Sequence, residues 1–257
     1  MDLGLTGRKA FVAASTSGLG RASAERLAEA GAVVAINGRG AERVDEVASA
    51  IDGAVAVPGD LTDAAERAQV IAAVREQLGE VDILVLNGPG PAPGSAATFT
   101  ADQARESAEK LLAPHVDLVQ AFLPGMRERG WGRIVLIGST AVQAPLGNLV
   151  GSSAGRSAAA AYLKTLANEV AGEGITVNSV LPGRIRTPRI EQLDAEAAER
   201  TGRPVEDVLA ANLANIPAGR LGEPREFGAC VAFLCSEPAA YVTGVGLRVD
   251  GGMVPVL

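Results

Sequence analysis

The stretch Lys9-Ala10-Phe11-Val12-Ala13-Ala14-Ser15-Thr16-Ser17-Gly18-Leu19-Gly20 passes from an apolar, β-prone run through small polar residues to two glycines, and an amphipathic segment at 21–30 follows. Strand, glycine turn and helix in that order put the free N–H groups and positive dipole end of a helix at the mouth of the turn, where they suit a pyrophosphate. Tight packing of helix on strand also calls for glycine, so the meaning of the turn rests on its context.

Outward from it, apolar runs recur at 33–36, 54–57, 81–86, 133–137, 176–180 and 246–249, with helical periodicity between most of them. Continuous apolar strands alternating with helices predict a doubly wound α/β domain over residues 1–257, with a mostly parallel seven-stranded sheet covered by helices on both faces. The rhythm breaks once, at about 184–221. Two short helices are predicted there, one over 190–200 that stops at Gly202 and one with Pro204 in its first turn. An insertion after a strand's carboxyl end lies where ligands bind, which makes it a candidate substrate lid.

Composition narrows the partners. With 47% hydrophobic and 21% charged residues in 257, the chain has the make-up of one globular domain rather than a disordered one. The net charge is −7 and the basic residues are scattered among acids, so no stripe suits nucleic acid or an anionic membrane. Cys230 and Cys235 fit neither a redox CxxC pair nor a zinc cluster, and buried thiols with no bound metal are expected. Neither a secretory leader nor an apolar run of spanning length is seen, and a cytoplasmic location is expected.

Residues 13–20 resemble the Thr-Gly-x-x-x-Gly-x-Gly turn of the short-chain dehydrogenase/reductase family, a Rossmann fold. Gly18, Leu19 and Gly20 match, whereas Ala13 and Ala14 depart, and Ala14 adds a methyl where the family has no Cβ. After the second strand, residues 36–39 hold no acid for a ribose hydroxyl, and Arg39 is placed to pair with a 2′-phosphate, which implies NADP(H). Asp60-Leu61 resembles the adenine-edge contact, and Asn87-Gly88-Pro89-Gly90 stands for the Asn-Ala-Gly segment with a proline in place of a glycine. Asn178, Pro182-Gly183 and Thr187, then Arg220-Leu221-Gly222-Glu223-Pro224 and Asp250-Gly251-Gly252, extend the likeness along the chain. The resemblance implies a cofactor held by Ala14, Ser15, Ser17, Gly18, Leu19, Gly20, Arg39, Asp60, Leu61, Asn87, Gly88, Arg156, Pro182, Gly183, Ile185 and Thr187.

The catalytic half departs from the pattern. The family uses Ser, Tyr, Lys and a relaying Asn; Ser139 matches the serine, but the tyrosine and lysine positions hold Ser152 and Arg156, and Leu111 stands for the asparagine. Tyr162 lies ten residues past Ser152 and points away from it on a helix. His115, the one histidine, and Tyr162 are the candidate replacements for the missing acid, but a lone histidine on such a helix is more often a surface or interface residue. The leading reading is an NADP(H)-dependent oxidoreductase of the 3-oxoacyl-acyl-carrier-protein reductase branch, with Ser139, Ser152 and Arg156 binding a small-molecule carbonyl. The alternatives are a catalytically silent dinucleotide or metabolite binder, and non-redox chemistry on the same fold. Two long helices, at about 106–129 and 152–172, imply a homo-oligomer, dimer or tetramer.

Overall fold

The seven apolar runs become strands close to their expected places in a computed structural model that describes residues 2–145 and 147–255. Met1, Leu146, Val256 and Leu257, part of the expected 1–257 domain, lie outside the described residues. In chain order the elements are β1 (Lys9–Val12), α1 (Gly18–Glu29), β2 (Val33–Gly38), α2 (Ala41–Ser49), β3 (Val55–Pro58), α3 (Ala64–Leu78) and β4 (Ile83–Leu86). They continue as α4 (Ala101–Leu111), α5 (Ala113–Arg129), β5 (Gly132–Ile137), α6 (Val150–Val170), β6 (Ile175–Pro182), α7 (Pro188–Thr201), α8 (Val205–Ala214), α9 (Pro224–Cys235) and β7 (Gly246–Val249).

The strand order is β3-β2-β1-β4-β5-β6-β7, and every neighbouring pair is parallel. Successive side chains alternate between faces. Phe11, Leu84 and Leu136 join Phe122 of α5 and Leu163 of α6 on one side, while Val12, Ile36 and Val85 join Leu27 of α1 and Phe227 of α9 on the other. The strand order reverses between β1 and β4, and such a switch point opens a crevice at the strands' carboxyl ends. No helix among the described residues is long and apolar enough to cross a membrane, and no group of three or more His, Cys, Asp or Glu is placed to hold a metal.

Several boundaries differ from the sequence reading. The first strand, whose apolar run extends from Lys9 to Ala14 in the sequence, stops at Val12, and Ala14 turns left-handed with φ 47°. The helix expected over 106–129 is broken between α4 and α5 at Leu112; Pro114 has no N–H to give the Lys110 carbonyl and crowds the preceding turn. The helix expected over 152–172 starts at Val150 and ends at Val170, where a short 3₁₀ turn carries the chain to a left-handed Gly174. Between β6 and α9, α7 ends at a left-handed Gly202 as expected, and Pro204 serves as the cap before α8 rather than as a first-turn residue. Buried Asp194 ties this helical pair down by pairing with Arg184 and accepting from Asn212 Nδ2 at 2.8 Å.

The break at Leu112 also turns His115 inward, reversing the expectation of a surface residue: it is 2% exposed, and its Nδ1 has no hydrogen-bond partner. Burial, with the charge of Arg156 adding to it, pushes the imidazole down to about 3. In the unfolded chain it titrates near 6.5, so on acidification the unfolded state binds a proton that the native state refuses. Stability then falls by about 1.4 kcal/mol per pH unit below that value until the native imidazole also protonates.

Denaturant unfolding of wild type and His115→Leu at pH 7.5 and pH 5.0 should give a difference that shifts by about 2 kcal/mol in the variant's favour at the lower pH. A constant difference would show that His115 is accessible to protons in the native state. Relieving the left-handed alanine by Ala14→Gly should stabilise the fold by about 0.5–1 kcal/mol, a rise in Tm of about 1–2 °C. An unchanged or lowered Tm would show that position 14 carries no strain.

Candidate functional site

A cleft of about 1090 Å³ runs along the carboxyl ends of the strands, from the turn after β1 to α7 and α8. Its geometry depends on buried Asn37 at the end of β2. Asn37 Oδ1 accepts from Ala14 N at 3.1 Å, its Nδ2 donates to Val57 O at 3.0 Å and Gly59 O at 3.2 Å, and its backbone N–H donates to Ser15 Oγ at 3.0 Å. Asn87, at the end of β4, donates from Nδ2 to Ala14 O at 3.1 Å. One amide thus ties the turns after β1, β2 and β3, and a second fastens them to β4.

The two glycines of the turn have separate duties. A Cβ on Gly20 would lie 2.4 Å from Ala14 O, so Gly20 lets α1 close against the turn. Gly18 is left-handed at φ 55° and lines the cleft, facing the Thr187 methyl. Ala14, Ser17, Gly18, Leu19, Arg39, Asp60, Leu61, Asn87, Gly88, Pro182, Gly183, Ile185 and Thr187 all line the cleft, as their predicted role requires. Ser15 and Gly20 do not: Ser15 is wholly buried and donates its hydroxyl to Val12 O at 2.7 Å, so both support the turn from beneath.

At one end, Asp60 is oriented by Thr62, whose N–H and hydroxyl donate to Oδ1 at 2.8 and 2.7 Å. Burial alone would make it a weaker acid, but those bonds, followed by the charges of Arg39 and Lys110, hold the carboxyl below its ordinary range. Arg39 is exposed and makes no hydrogen bond or ion pair with the described residues.

Ser139, Ser152 and Arg156 meet at the other end. Ser139 follows β5 and accepts from Ala141 N at 3.1 Å; Ser152 and Arg156 lie one turn apart on α6, where Arg156 Nε donates to Ser152 Oγ at 3.3 Å. Arg156 Nη1 also donates to Ile137 O at 3.2 Å and Gly138 O at 3.5 Å. Burial, and then the charge of Arg189, push this guanidinium down to about 10. Leu111 is 1% exposed, and a Cβ on Gly155 would lie 2.8 Å from its Cδ1; it packs α4 against α6 and offers no relay atom. Tyr162 packs against the core on another part of α6 and Lys164 faces Gly244, both outside the cleft.

The sequence reading missed Thr16, Asn37 and Arg189, all of which line the cleft. An amide ending an otherwise apolar strand was the available signal for Asn37. Arg189 gave none, because its place depends on how α7 folds back over the loop after β4.

A family model described as Enoyl-(Acyl carrier protein) reductase matches residues 13–254. A 3-oxoacyl-[acyl-carrier-protein] reductase of Vibrio harveyi is 34% identical over 99% of this chain and 100% of its own. Among solved structures, L-sorbose reductase from Gluconobacter frateurii, complexed with NADPH and L-sorbose, superposes with a TM-score of 0.93 at 31% identity over the full length of both chains. YwfH, an NADPH dependent reductase involved in bacilysin biosynthesis, also reaches 0.93, at 27% identity over 98% of this chain and 100% of its own. With a parallel sheet in Rossmann order, a glycine turn at its switch point and whole-length likeness to these reductases, the chain belongs to the short-chain dehydrogenase/reductase family.

Proposed function

We propose that the protein is an NADP(H)-dependent oxidoreductase acting on a carbonyl or hydroxyl substrate, and the observation that carries this reading is the cleft end formed by Arg39. That guanidinium, free of protein partners, stands at the exit of β2 beside a turn with no acid at 36–39. A 2′-phosphate supplies the ion-pair partner that Arg39 lacks among the described residues, whereas a bare ribose hydroxyl brings no charge to it. The residues present fit a dinucleotide in other respects. Gly38 leaves space beside Thr16 that a Cβ would fill at 2.6 Å, Asp60 is held ionised to accept an adenine amine, and Ser17, Gly18 and Leu19 open α1 toward a pyrophosphate. Solved relatives described with NADPH support the same choice.

When bound, the nicotinamide supplies the electron pair for reducing a carbonyl. The chain supplies the oxygen's surroundings. Ser152 Oγ accepts from Arg156, and Ser139 Oγ accepts from Ala141, so each hydroxyl keeps its own proton free to donate into the cleft. Arg156 adds positive charge where a carbonyl oxygen becomes negative. None of these groups titrates near neutrality: His115 stays neutral to about 3 and Arg156 stays charged to about 10. The final proton therefore comes from water, and reduction of simple ketones is slow by the roughly 10² to 10⁴ that a positioned acid contributes. The same absence favours a second reading, a protein that binds the dinucleotide and turns it over little. Helices α7 and α8 serve as the substrate lid in either case, and self-association as a dimer or tetramer through α5 and the small exposed residues of α6 belongs to the same reading.

Calorimetry should find NADPH bound at least tenfold more tightly than NADH, with Arg39→Ala removing the difference. Equal affinities in the wild type would overturn the cofactor assignment. Ser152→Tyr with Arg156→Lys installs a phenol beside a cation that lowers its pKa, and should raise NADPH-dependent reduction of an activated ketone by about tenfold to a hundredfold. A wild type already fast on that ketone, and slowed by the double substitution, would show that Ser152 and Arg156 support a proton path of their own.

A further inference from the structure

In a protein of net charge −7, the charged groups lining the cleft are Arg39, Lys110, Arg156, Arg184 and Arg189 against Asp60 alone, among the described residues. Most of these cations have a counter-charge or a role. Arg39 and Asp60 share one end, Lys110 pairs with Glu106, and Arg184 pairs with Asp194. Arg156 and Arg189 remain, and no carboxylate pairs with either among the described residues.

Arg189 leaves the first turn of α7 and crosses to the loop after β4, where Nη2 donates to Pro91 O at 3.1 Å and Nη1 to Gln192 Oε1 at 3.1 Å. Its Nε has no acceptor and faces Gly90, where an added Cβ would stand 3.1 Å away. Arg156 commits Nε and Nη1 to Ser152, Ile137 and Gly138, and its Nη2 likewise has no acceptor. Both side chains line the one cleft, where burial first, and then the like charge of Arg189, makes Arg156 less basic, an arrangement that an anion bound there would relieve.

We propose that Arg156 and Arg189 form a clamp for a carboxylate carried by the substrate near its carbonyl, so that the natural substrate is an oxo acid or hydroxy acid rather than a neutral ketone. Arg156 Nη2 and Arg189 Nε each lack an acceptor among the described residues, and a planar guanidinium fork suits the two coplanar oxygens of a carboxylate. Arg156 already has the duties assigned to it above, whereas the hydrogen bonds of Arg189 to Pro91 and Gln192 leave its charge in the same cleft unanswered. The proposal rests on the oxidoreductase reading for the carbonyl alone; the anion site stands on these side chains.

The test uses protein saturated with NADP⁺, in which a ketone binds without being reduced, and calorimetric titration with acetoacetate, its methyl ester and inorganic phosphate. Acetoacetate should bind at least tenfold more tightly than the ester and more tightly than phosphate. Arg189→Gln should abolish that preference and Arg189→Lys should retain part of it. Equal binding of acid and ester by the wild type, which requires no variant to fold, would overturn the clamp, as would an unchanged preference in Arg189→Gln. Phosphate binding the tightest would overturn the carboxylate assignment. If the protein takes up no NADP⁺, the dinucleotide reading fails, and the same titrations on cofactor-free protein decide the clamp by the same criteria.

Discussion

The cleft depends on the side-chain amide of Asn37. A parallel sheet aligns its strands by backbone hydrogen bonding, but the loops beyond their carboxyl ends have no such ladder and must be fixed otherwise. Asn37 meets the requirement with donor and acceptor together, reaching Ala14, Val57 and Gly59 from the end of β2 while its backbone engages Ser15. Being buried, these bonds are costly to leave unmade, which makes the turn a fixed part of the sheet rather than a mobile loop. The left-handed Ala14 persists because it is held on both sides, its N–H by Asn37 and its carbonyl by Asn87.

The reaction end follows the opposite logic. Where relatives of this family place a titrating phenol and an amine, α6 presents a hydroxyl and a guanidinium on the same face. The charge and helical spacing survive, and the capacity to deliver a proton near neutral pH does not. His115 offers no substitute, since the burial that follows from the break at Pro114 keeps it neutral. In the proposed reading the site holds and polarises an oxygen, and positive charge is in excess along the cleft among the described residues.

Much of the architecture was legible because its signals are local or periodic. Apolar runs of strand length, the glycine turn and the left-handed stop at Gly202 each follow from the residues at hand. The missing tyrosine and lysine were equally legible, since their positions are set by spacing from Ser139 along one strand and one helix. Less visible was the division of labour within the turn: Ser15 and Gly20 look like cofactor contacts in sequence, yet they face inward because a turn must also pack on what lies beneath it.

The sequence by itself determined the fold class, the switch-point turn, the absence of an acid at the end of β2 and the one-turn spacing of Ser152 and Arg156. These depend on residues a few positions apart, for which strand and helix geometry fixes relative direction. Only the tertiary structure decided that His115 is buried, that Asn37 links three loops and that Arg189 comes to share the cleft with Arg156. Each of those outcomes joins segments far apart in the chain. Their meeting depends on how helices pack over the sheet, and no periodicity or local propensity encodes that distance.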